Sequence, residues 1–365
     1  MAIPLFDLGP RLREVREEVN RAIAGVVDSG QFILGPEVEA FERELAAYLG
    51  VRHVVGVANG TDAITIGLRM LGVGSGDDVV VPSFTFYASA EAIPHTGARP
   101  VFCDVDPETF CVTPETIERA LTPATRAVIP VDLFGRVAPI AALREVLEPR
   151  GIAILEDAAQ AAGASLDGRR AGSLGDVATF SFFPSKNLFC LGDGGAIATN
   201  DDALAESARI LRFHGSRDKS TFDEVGWNSR LDAIQAAVLR VTLARLDDWS
   251  ARRRALAEAY EEEGLAELAG LPQPGPGEEP AYHLYVLRVS DPDRAAAALS
   301  EAGIAARSYY RVPTHEQPAM RAWAPAVELP GTREAAATSL AVPMGPTFGA
   351  DVARRVVETL RAAVS

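Results

Sequence analysis

The sequence predicts an α/β protein with a large domain, built on a mostly parallel sheet between helices, and a smaller C-terminal α/β domain. Three observations support this. The chain has 365 residues, more than one small core needs. From about residue 53, short apolar runs alternate with helical stretches, which is typical of parallel strands covered on both faces. A segment rich in Pro and Gly, 271–282, then precedes a further strand and helix.

The predicted elements follow in order along the chain. Apolar residues at helical spacing predict a helix over residues 11–28, and Pro36 opens a second amphipathic helix. Strands are predicted at 53–58, 78–83, 99–105, 126–132, 151–157, 176–182, 195–200 and 282–289. Helices are predicted at 61–71, 86–95, 114–121, 138–149 and 292–302, and one long helix at 229–262. We expect residues 1–30 to form an N-terminal helix packing with the small domain, 31–248 the large domain and 249–365 the small domain.

Composition argues against several classes of function. The net charge of -15 disfavours nucleic-acid binding, although a local basic cleft can still bind an anionic small substrate. No apolar run approaches the roughly 20 residues of a membrane helix, and the N-terminus lacks a signal peptide, so we expect a cytoplasmic protein without a membrane partner. Cys103, Cys111 and Cys190 form no CxxC pair, so neither a metal site nor a disulfide framework is expected.

The first candidate catalytic residue lies in the segment TFSFFPSKNLFCLGDGGAI, residues 179–197. A predicted strand ends at Ser181, Lys186 follows five residues later, and a Gly-rich turn comes next. Apolar neighbours, among them Phe182 and Phe183, partly desolvate the lysine. Desolvation favours the neutral amine, which is the form that makes a Schiff base. Taken alone, the pattern also fits a lysine on a surface loop.

The second candidate lies in ILEDAAQAAGAS, residues 154–165. A buried strand delivers Glu156 and Asp157 at its carboxyl end. A buried acid costs free energy unless it meets a positive partner, and a protonated pyridine nitrogen is such a partner. The same aspartate also fits the N-cap of the following helix.

The third candidate is an anion site in VANGTDAITIGL, residues 57–68. A strand, a turn and a helix follow each other there, so the free N–H groups at Gly60 and Thr61 and the helix dipole would attract a phosphate. By contrast, GVGSGDD at 72–78 precedes a strand, the reverse of the dinucleotide fingerprint, and is a tight connection. Together, the anion site, the acid and the lysine supply what pyridoxal 5'-phosphate needs: an anchor, an electron sink and a covalent handle.

The sequence resembles the DegT/DnrJ/EryC1/StrS nucleotide-sugar aminotransferases, whose fold is type I of the pyridoxal-phosphate-dependent transferases, the aspartate-aminotransferase-like fold. The resemblance covers nearly the whole chain. Its motifs are GQFILGPEVEAFE (30–42), ANGTDA (58–63), PSFTFYAS (82–89), EDAAQAAGA (156–164), SFFPSKNL (181–188), GDGGA (192–196), WNSRLDAIQAAVL (227–239) and YYRVPTHEQPA (309–319).

The resemblance implies roles for single residues. The catalytic residues would be Lys186, which carries the cofactor as a Schiff base, and Asp157, which pairs with the pyridinium nitrogen. The other cofactor contacts would be Gln160 beside the ring, Phe86 on its face, Gly60, Thr61 and Ser181 at the phosphate, and Asn228 reaching the phosphate from the partner subunit of a homodimer. The substrate contacts would be Arg230, Tyr309, Tyr310 and His315.

The resemblance also implies the reaction. An amino group passes from L-glutamate to a keto sugar attached to a nucleotide, leaving 2-oxoglutarate and an amino sugar for glycan or secondary-metabolite biosynthesis, with Lys186 moving the proton. The segment 228–232, NSRLD, is similar to that of members acting on 3-keto sugars, so a 3-keto hexose is favoured over a 4-keto sugar. Tyr309, Arg311 and Thr314 stand where the family often has His, Pro and Leu, which leaves the sugar open.

The residues disfavour three rival functions. Related sugar dehydratases carry His in place of the lysine, so Lys186 argues against that activity. An amino-acid aminotransferase would need an arginine for the second carboxylate, and the C-terminal region has no Ser-x-x-x-Phe-Arg segment. A non-catalytic regulatory protein that binds pyridoxal phosphate is the third alternative. It is disfavoured because the lysine, the acid and the anion site are intact and no DNA-binding module is attached.

Overall fold

The computed structural model describes residues 2–364, and a seven-stranded sheet lies at its centre. Taken over all sheets, the strands of the described residues are β1 (His53–Val57), β2 (Asp78–Pro82), β3 (Arg99–Cys103), β4 (Thr125–Val128), β5 (Ala153–Asp157), β6 (Ser165–Leu166), β7 (Arg169–Arg170), β8 (Val177–Ser181), β9 (Gly195–Thr199), β10 (Glu278–Glu279), β11 (Tyr285–Arg288) and β12 (Ser339–Val342). The large sheet has the order β1-β9-β8-β5-β4-β2-β3. Its last five strands are parallel, and β9 is antiparallel to both neighbours. The predicted mostly parallel sheet is confirmed.

Helices flank the large sheet and the separate pair of strands β11 and β12. They are α1 (Leu8–Ser29), α2 (Pro36–Leu49), α3 (Gly60–Met70), α4 (Ala88–Glu91), α5 (Pro114–Ala120), α6 (Ile140–Leu147), α7 (Asp202–Leu211), α8 (Ala233–Leu243), α9 (Leu246–Glu262), α10 (Pro292–Glu301), α11 (Pro330–Thr338) and α12 (Ala350–Val364). The strands they cover are buried along their length: every residue of β2 and of β9 is buried. This explains why these strands are continuous apolar runs without alternation.

Two predicted helices differ from the structure. The single helix predicted over 229–262 is wrong, because α8 ends at Leu243 and α9 begins at Leu246. Near this break the hydroxyl of Thr242 donates to the carbonyl oxygens of Phe189 and Leu239. The helix predicted at 86–95 is short, since α4 ends at Glu91 and a 3-10 turn begins at Pro94, which has no N–H to continue the helix.

The N-terminal and C-terminal parts meet around α9. On α1, Val15 and Val19 pack with Val238 and Trp249. The strands β11 and β12 form an antiparallel pair whose core includes residues of α9, α10 and α12. Ahead of α1, Ile3 belongs to that core. The domain boundaries at residues 30 and 248 stay a prediction.

Two simpler features complete the fold. Cys103, Cys111 and Cys190 are buried free thiols. Among the helices of residues 2–364, none has the length and apolar character that crossing a bilayer requires.

Candidate active site

A cavity of about 900 Å³ lies at the carboxyl ends of the strands of the large sheet. Nine residues predicted from the sequence line it: Gly60, Thr61, Phe86, Asp157, Gln160, Ser181, Lys186, Tyr309 and Tyr310. In an open α/β sheet this edge is where ligands bind, because the loops that follow the strands converge there.

Asp157 is the acidic group of this cavity. It ends β5 and is 3% exposed. The hydroxyl of Ser89 donates to Oδ2 at 2.7 Å, and the N–H of Ala159 donates to Oδ1 at 3.2 Å. Burial raises the pKa of Asp157, while the two hydrogen bonds and the charge of Lys186 oppose that rise. A cation placed beside this carboxylate would stabilise its ionised form further.

Lys186 is the basic group of the same cavity. It lies on the loop between β8 and β9, where its backbone N–H donates to the carbonyl oxygen of Phe183 at 2.8 Å. Burial lowers the pKa of Lys186 to about 8, and the charge of Asp157 opposes that shift. At neutral pH roughly a tenth of such amines are uncharged, compared with well under a thousandth for an exposed lysine. Lys186 is therefore prepared to act as a nucleophile.

A helix N-terminus forms the third corner of the cavity. The side chain of Asn59 caps α3 by accepting the N–H of Asp62 at 2.8 Å. A Cβ added to Gly60 would lie 2.8 Å from the Cβ of Ser181, so only glycine lets the helix and this serine approach so closely. The first N–H groups of a helix have no intrahelical acceptor, and with the helix dipole they favour an anion.

Gln160, Tyr310 and Phe86 complete the wall, and Phe134 packs against Tyr310 from outside the lining. Gln160 accepts the N–H of Phe134 at 2.8 Å and donates to the hydroxyl of Tyr310 at 3.1 Å. The ring centroid of Tyr310 lies 6.1 Å from that of Phe134 in a stacked arrangement and 6.3 Å from that of Phe86. The hydrogen bond from Gln160 thus holds Tyr310 in place, whereas Phe86 is 54% exposed.

Three predicted site residues lie outside the lining of this cavity in the described chain. Asn228 is exposed, and its backbone pairs with that of Phe213. The guanidinium carbon of Arg230 lies 5.5 Å from the ring of Phe213. Nδ1 of His315 makes a hydrogen bond with the hydroxyl of Ser83, and His315 lines a separate cavity of about 220 Å³. A single chain therefore does not bring these three residues to Lys186.

Several residues of the wall were missed by the sequence reasoning, His283 and Phe6 among them. His283 and Phe6 line the cavity and stack with ring centroids 5.9 Å apart. Burial lowers the pKa of His283 well below its ordinary value, with the charge of Lys186 acting in the same direction, so the imidazole is neutral. A histidine inside the apolar run YHLYVLRV was the one available signal for His283. Nothing in the sequence singles out Phe6.

The arrangement has a definite chemical capacity. The amine of Lys186 can attack a carbonyl carbon, the carboxylate of Asp157 can stabilise a nearby cation, and the start of α3 can hold an anionic group. These three properties suit one ligand that carries a carbonyl, a basic ring nitrogen and a phosphate.

The sequence of this chain is similar to those of known aminotransferases and of a regulatory protein. The sequence pattern of the DegT/DnrJ/EryC1/StrS aminotransferase family matches residues 13–361. The dTDP-3-amino-3,4,6-trideoxy-alpha-D-glucose transaminase of Streptomyces venezuelae is 46% identical over 362 residues, which cover 98% of this chain and 95% of the relative. A pleiotropic regulatory protein of Geobacillus stearothermophilus is 42% identical over 364 residues, which cover 99% of this chain and 98% of the relative.

A solved structure has the same fold. The crystal structure of S. venezuelae DesV in complex with a ketimine intermediate superposes with a TM-score of 0.96 at 46% identity. The superposition covers 99% of this chain and 98% of that one, so both the large sheet and the C-terminal part are shared.

Proposed function

The chain belongs to the DegT/DnrJ/EryC1/StrS aminotransferase family, and from this premise we propose that it aminates a keto sugar attached to a nucleotide. The proposed donor is L-glutamate, which leaves as 2-oxoglutarate, and the proposed cofactor is pyridoxal 5'-phosphate. The product is an amino sugar. The observation that carries the proposal is the meeting of Lys186, Asp157 and the start of α3 in one cavity.

The residues of the cavity fit the proposed cofactor. When bound, pyridoxal 5'-phosphate supplies an aldehyde that condenses with amines and a ring that withdraws electrons. Lys186 would supply the amine that holds it and, once freed, its Nζ would move a proton to and from the carbon that bears the amino group. The carboxylate of Asp157 keeps the ring nitrogen protonated. Gly60, Thr61 and Ser181 hold the phosphate; in the same proposal Gln160 lies beside the ring and Phe86 on its face.

The proposed acceptor is a 3-keto hexose. The segment NSRLD at 228–232 supports this choice, and the S. venezuelae relative is named as a transaminase of a 3-amino sugar. Tyr309 and Tyr310 lie in the cavity wall and are proposed to contact the sugar nucleotide. The same role for Arg230 and His315 stays a prediction, since both lie outside the lining of the cavity.

A homodimer with shared active sites is part of the proposal. Asn228 is exposed and is proposed to reach the phosphate of the partner subunit. Phe32 and Ile33 are 46% and 52% exposed, and they lie beside the same segment: Ile33 pairs with Asp232. Exposed apolar side chains next to a polar group with no local ligand are typical of an interface between subunits.

Isotope transfer tests the proposed function. The protein is incubated with cofactor, glutamate labelled with ¹⁵N on its amino group, and dTDP- or UDP-linked hexoses with a ketone at C3 or at C4. We expect mass spectrometry to find one ¹⁵N in the product of a 3-keto sugar, and no product with the Lys186→Ala variant. Transfer to 4-keto sugars alone would overturn the proposed position of the ketone. Cofactor binding without transfer to any sugar would favour the regulatory alternative, in line with the name of the Geobacillus relative.

A further inference from the structure

Arg11 on α1 contacts the loop that carries Lys186. Its Nη1 donates to the carbonyl oxygens of Lys186 at 3.0 Å and Asn187 at 3.4 Å, and its Nη2 donates to that of Pro184 at 3.2 Å. Arg11 and Lys186 are 175 positions apart in the chain. One rigid, planar guanidinium thus binds three carbonyl groups of a single short loop.

The guanidinium is held in an unusual environment. Arg11 is 1% exposed, and its charge centre lies 4.1 Å from the ring of Phe189 and 5.5 Å from that of Trp249. Burial lowers the pKa of Arg11 to about 9, with the charge of Arg253 acting in the same direction and that of Asp7 opposing it. A buried charge is costly unless its contacts compensate, and here these contacts are aromatic faces and the loop carbonyls.

The residues before α1 anchor Arg11 from the other side. Ile3 pairs with Ile304, and the carboxylate of Asp7 accepts the N–H of Thr347 at 2.8 Å. The segment 3–11 therefore connects the C-terminal part of the chain to the loop of Lys186. Because both ends of this segment are tied down, the guanidinium has a fixed position from which to hold the loop.

The geometry points to Arg11 as a positioning residue for Lys186: by holding the carbonyl groups of residues 184, 186 and 187, it fixes where the amine enters the cavity and limits its contact with water. The inference rests on the proposed function, since it concerns the amine that would carry the cofactor. Arg11 itself is absent from the cavity lining in the described chain, so it acts through the loop.

Arg253 provides a matched control. It is also 1% exposed, and its Nη1 donates to the carbonyl oxygens of Tyr282 at 2.9 Å and Met344 at 3.4 Å. Arg253→Met removes an equally buried guanidinium whose carbonyl partners lie outside residues 184–187. A general loss of packing or of buried positive charge would affect both variants alike.

The test measures the basicity of Lys186 in the full-length chain freed of cofactor. An amine-acylating reagent is applied over a range of pH, and labelled peptides are quantified by mass spectrometry. The chain has two lysines, so Lys219, which is exposed, serves as the internal reference. In the unaltered protein we expect Lys186 to titrate with a pKa of about 8. In Arg11→Met the loosened loop admits water, so the pKa of Lys186 should move up towards its ordinary value.

A rise of one pKa unit would lower the labelling rate of Lys186 at pH 8 about fivefold. Arg253→Met should leave that rate unchanged. Arg11→Lys keeps the charge but loses the planar guanidinium with its several N–H donors. The labelling rate of Lys186 in this variant should therefore lie between the rates in Arg11→Met and in the unaltered protein. Arg11→Lys also provides the test if Arg11→Met does not fold. An unchanged titration in Arg11→Lys or Arg11→Met, or an equal shift in Arg253→Met, would overturn the inference. Since no sugar or cofactor takes part, the result is independent of the ¹⁵N-transfer experiment.

Discussion

The hydroxyl of Ser89 donates a 2.7 Å hydrogen bond to Oδ2 of Asp157 at the floor of the cavity. Both side chains are buried, Ser89 at 2% exposure and Asp157 at 3%. The bond opposes the effect of burial on the pKa of Asp157, because it stabilises the ionised carboxylate. Ser89 therefore helps to keep Asp157 in the charged form that the proposed chemistry needs.

The first prediction concerns this hydrogen bond. Ser89→Ala should raise the pKa of Asp157, so that the carboxylate is protonated at a higher pH than in the unaltered protein. The acid limb of kcat should shift to higher pH, and kcat should fall about tenfold or more, since a hydrogen bond to a charged group contributes about 1.5–3 kcal/mol. The measurement is kcat against pH. The control is Ser173→Ala, which removes a hydroxyl that donates to the carbonyl oxygen of Arg170. It should change neither the pH of the acid limb nor the value of kcat.

The second prediction concerns the charge of Asp157. Asp157→Asn should retain the cofactor, which Lys186 and the phosphate site still hold, but should lose turnover on the order of a hundredfold or more. Asp132→Asn is the control: burial raises the pKa of Asp132 well above its ordinary value, which favours the neutral acid that asparagine resembles, so turnover should change little. The measurement is the steady-state turnover of both folded variants, compared with that of the unaltered protein. Turnover near normal in Asp157→Asn would remove Asp157 from its role.

The third prediction concerns the anion site at the start of α3. Gly60→Ala would place a Cβ 2.8 Å from that of Ser181, so the helix start and the serine must separate. We expect a weaker affinity for pyridoxal 5'-phosphate, measured by titration of the cofactor-free chain. Gly25→Ala on α1, whose Cβ would meet nothing within 4 Å, should bind as before. Equal affinities for the two variants would show that the phosphate lies elsewhere.

The sequence predicted the parts of the site that are local in the chain. Asp157 and Ser181 end strands, Gly60 begins a helix, and Lys186 follows a strand, so each has a signal within a few residues. The parallel order of the strands then placed them at one edge, because the carboxyl ends of such strands converge.

Contacts between distant segments could not be predicted in this way. Arg11 meets the loop of Lys186 across 175 positions, and Ser89 meets Asp157 across 68. Neither arginine nor serine is unusual in a helix, so no pattern marks them. Likewise, the apolar spacing of residues 229–262 continues through the break after Leu243, so periodicity alone predicted one helix where the structure has two.

The fourth prediction concerns the shared active site. Lys186→Ala and Asn228→Asp are each expected to be inactive, the second because a carboxylate should repel the phosphate. After the two variants are unfolded and refolded together, a hybrid dimer carries both lesions in one site and neither in the other, so about half of the sites in hybrids should be active. Activity is measured in hybrids purified through two different tags. No recovery in verified hybrids would mean that Asn228 serves its own subunit.

The most direct test of the central claim, that Lys186 carries the cofactor, is reduction of the protein with borohydride followed by peptide mapping. Reduction fixes a Schiff base permanently to its lysine, and only Lys186 and Lys219 are available in the sequence. We predict that the phosphopyridoxyl group is found on Lys186 and that Lys219→Arg is labelled to the same extent as the unaltered protein. A label on Lys219, or none on Lys186 in protein that contains the cofactor, would contradict the account.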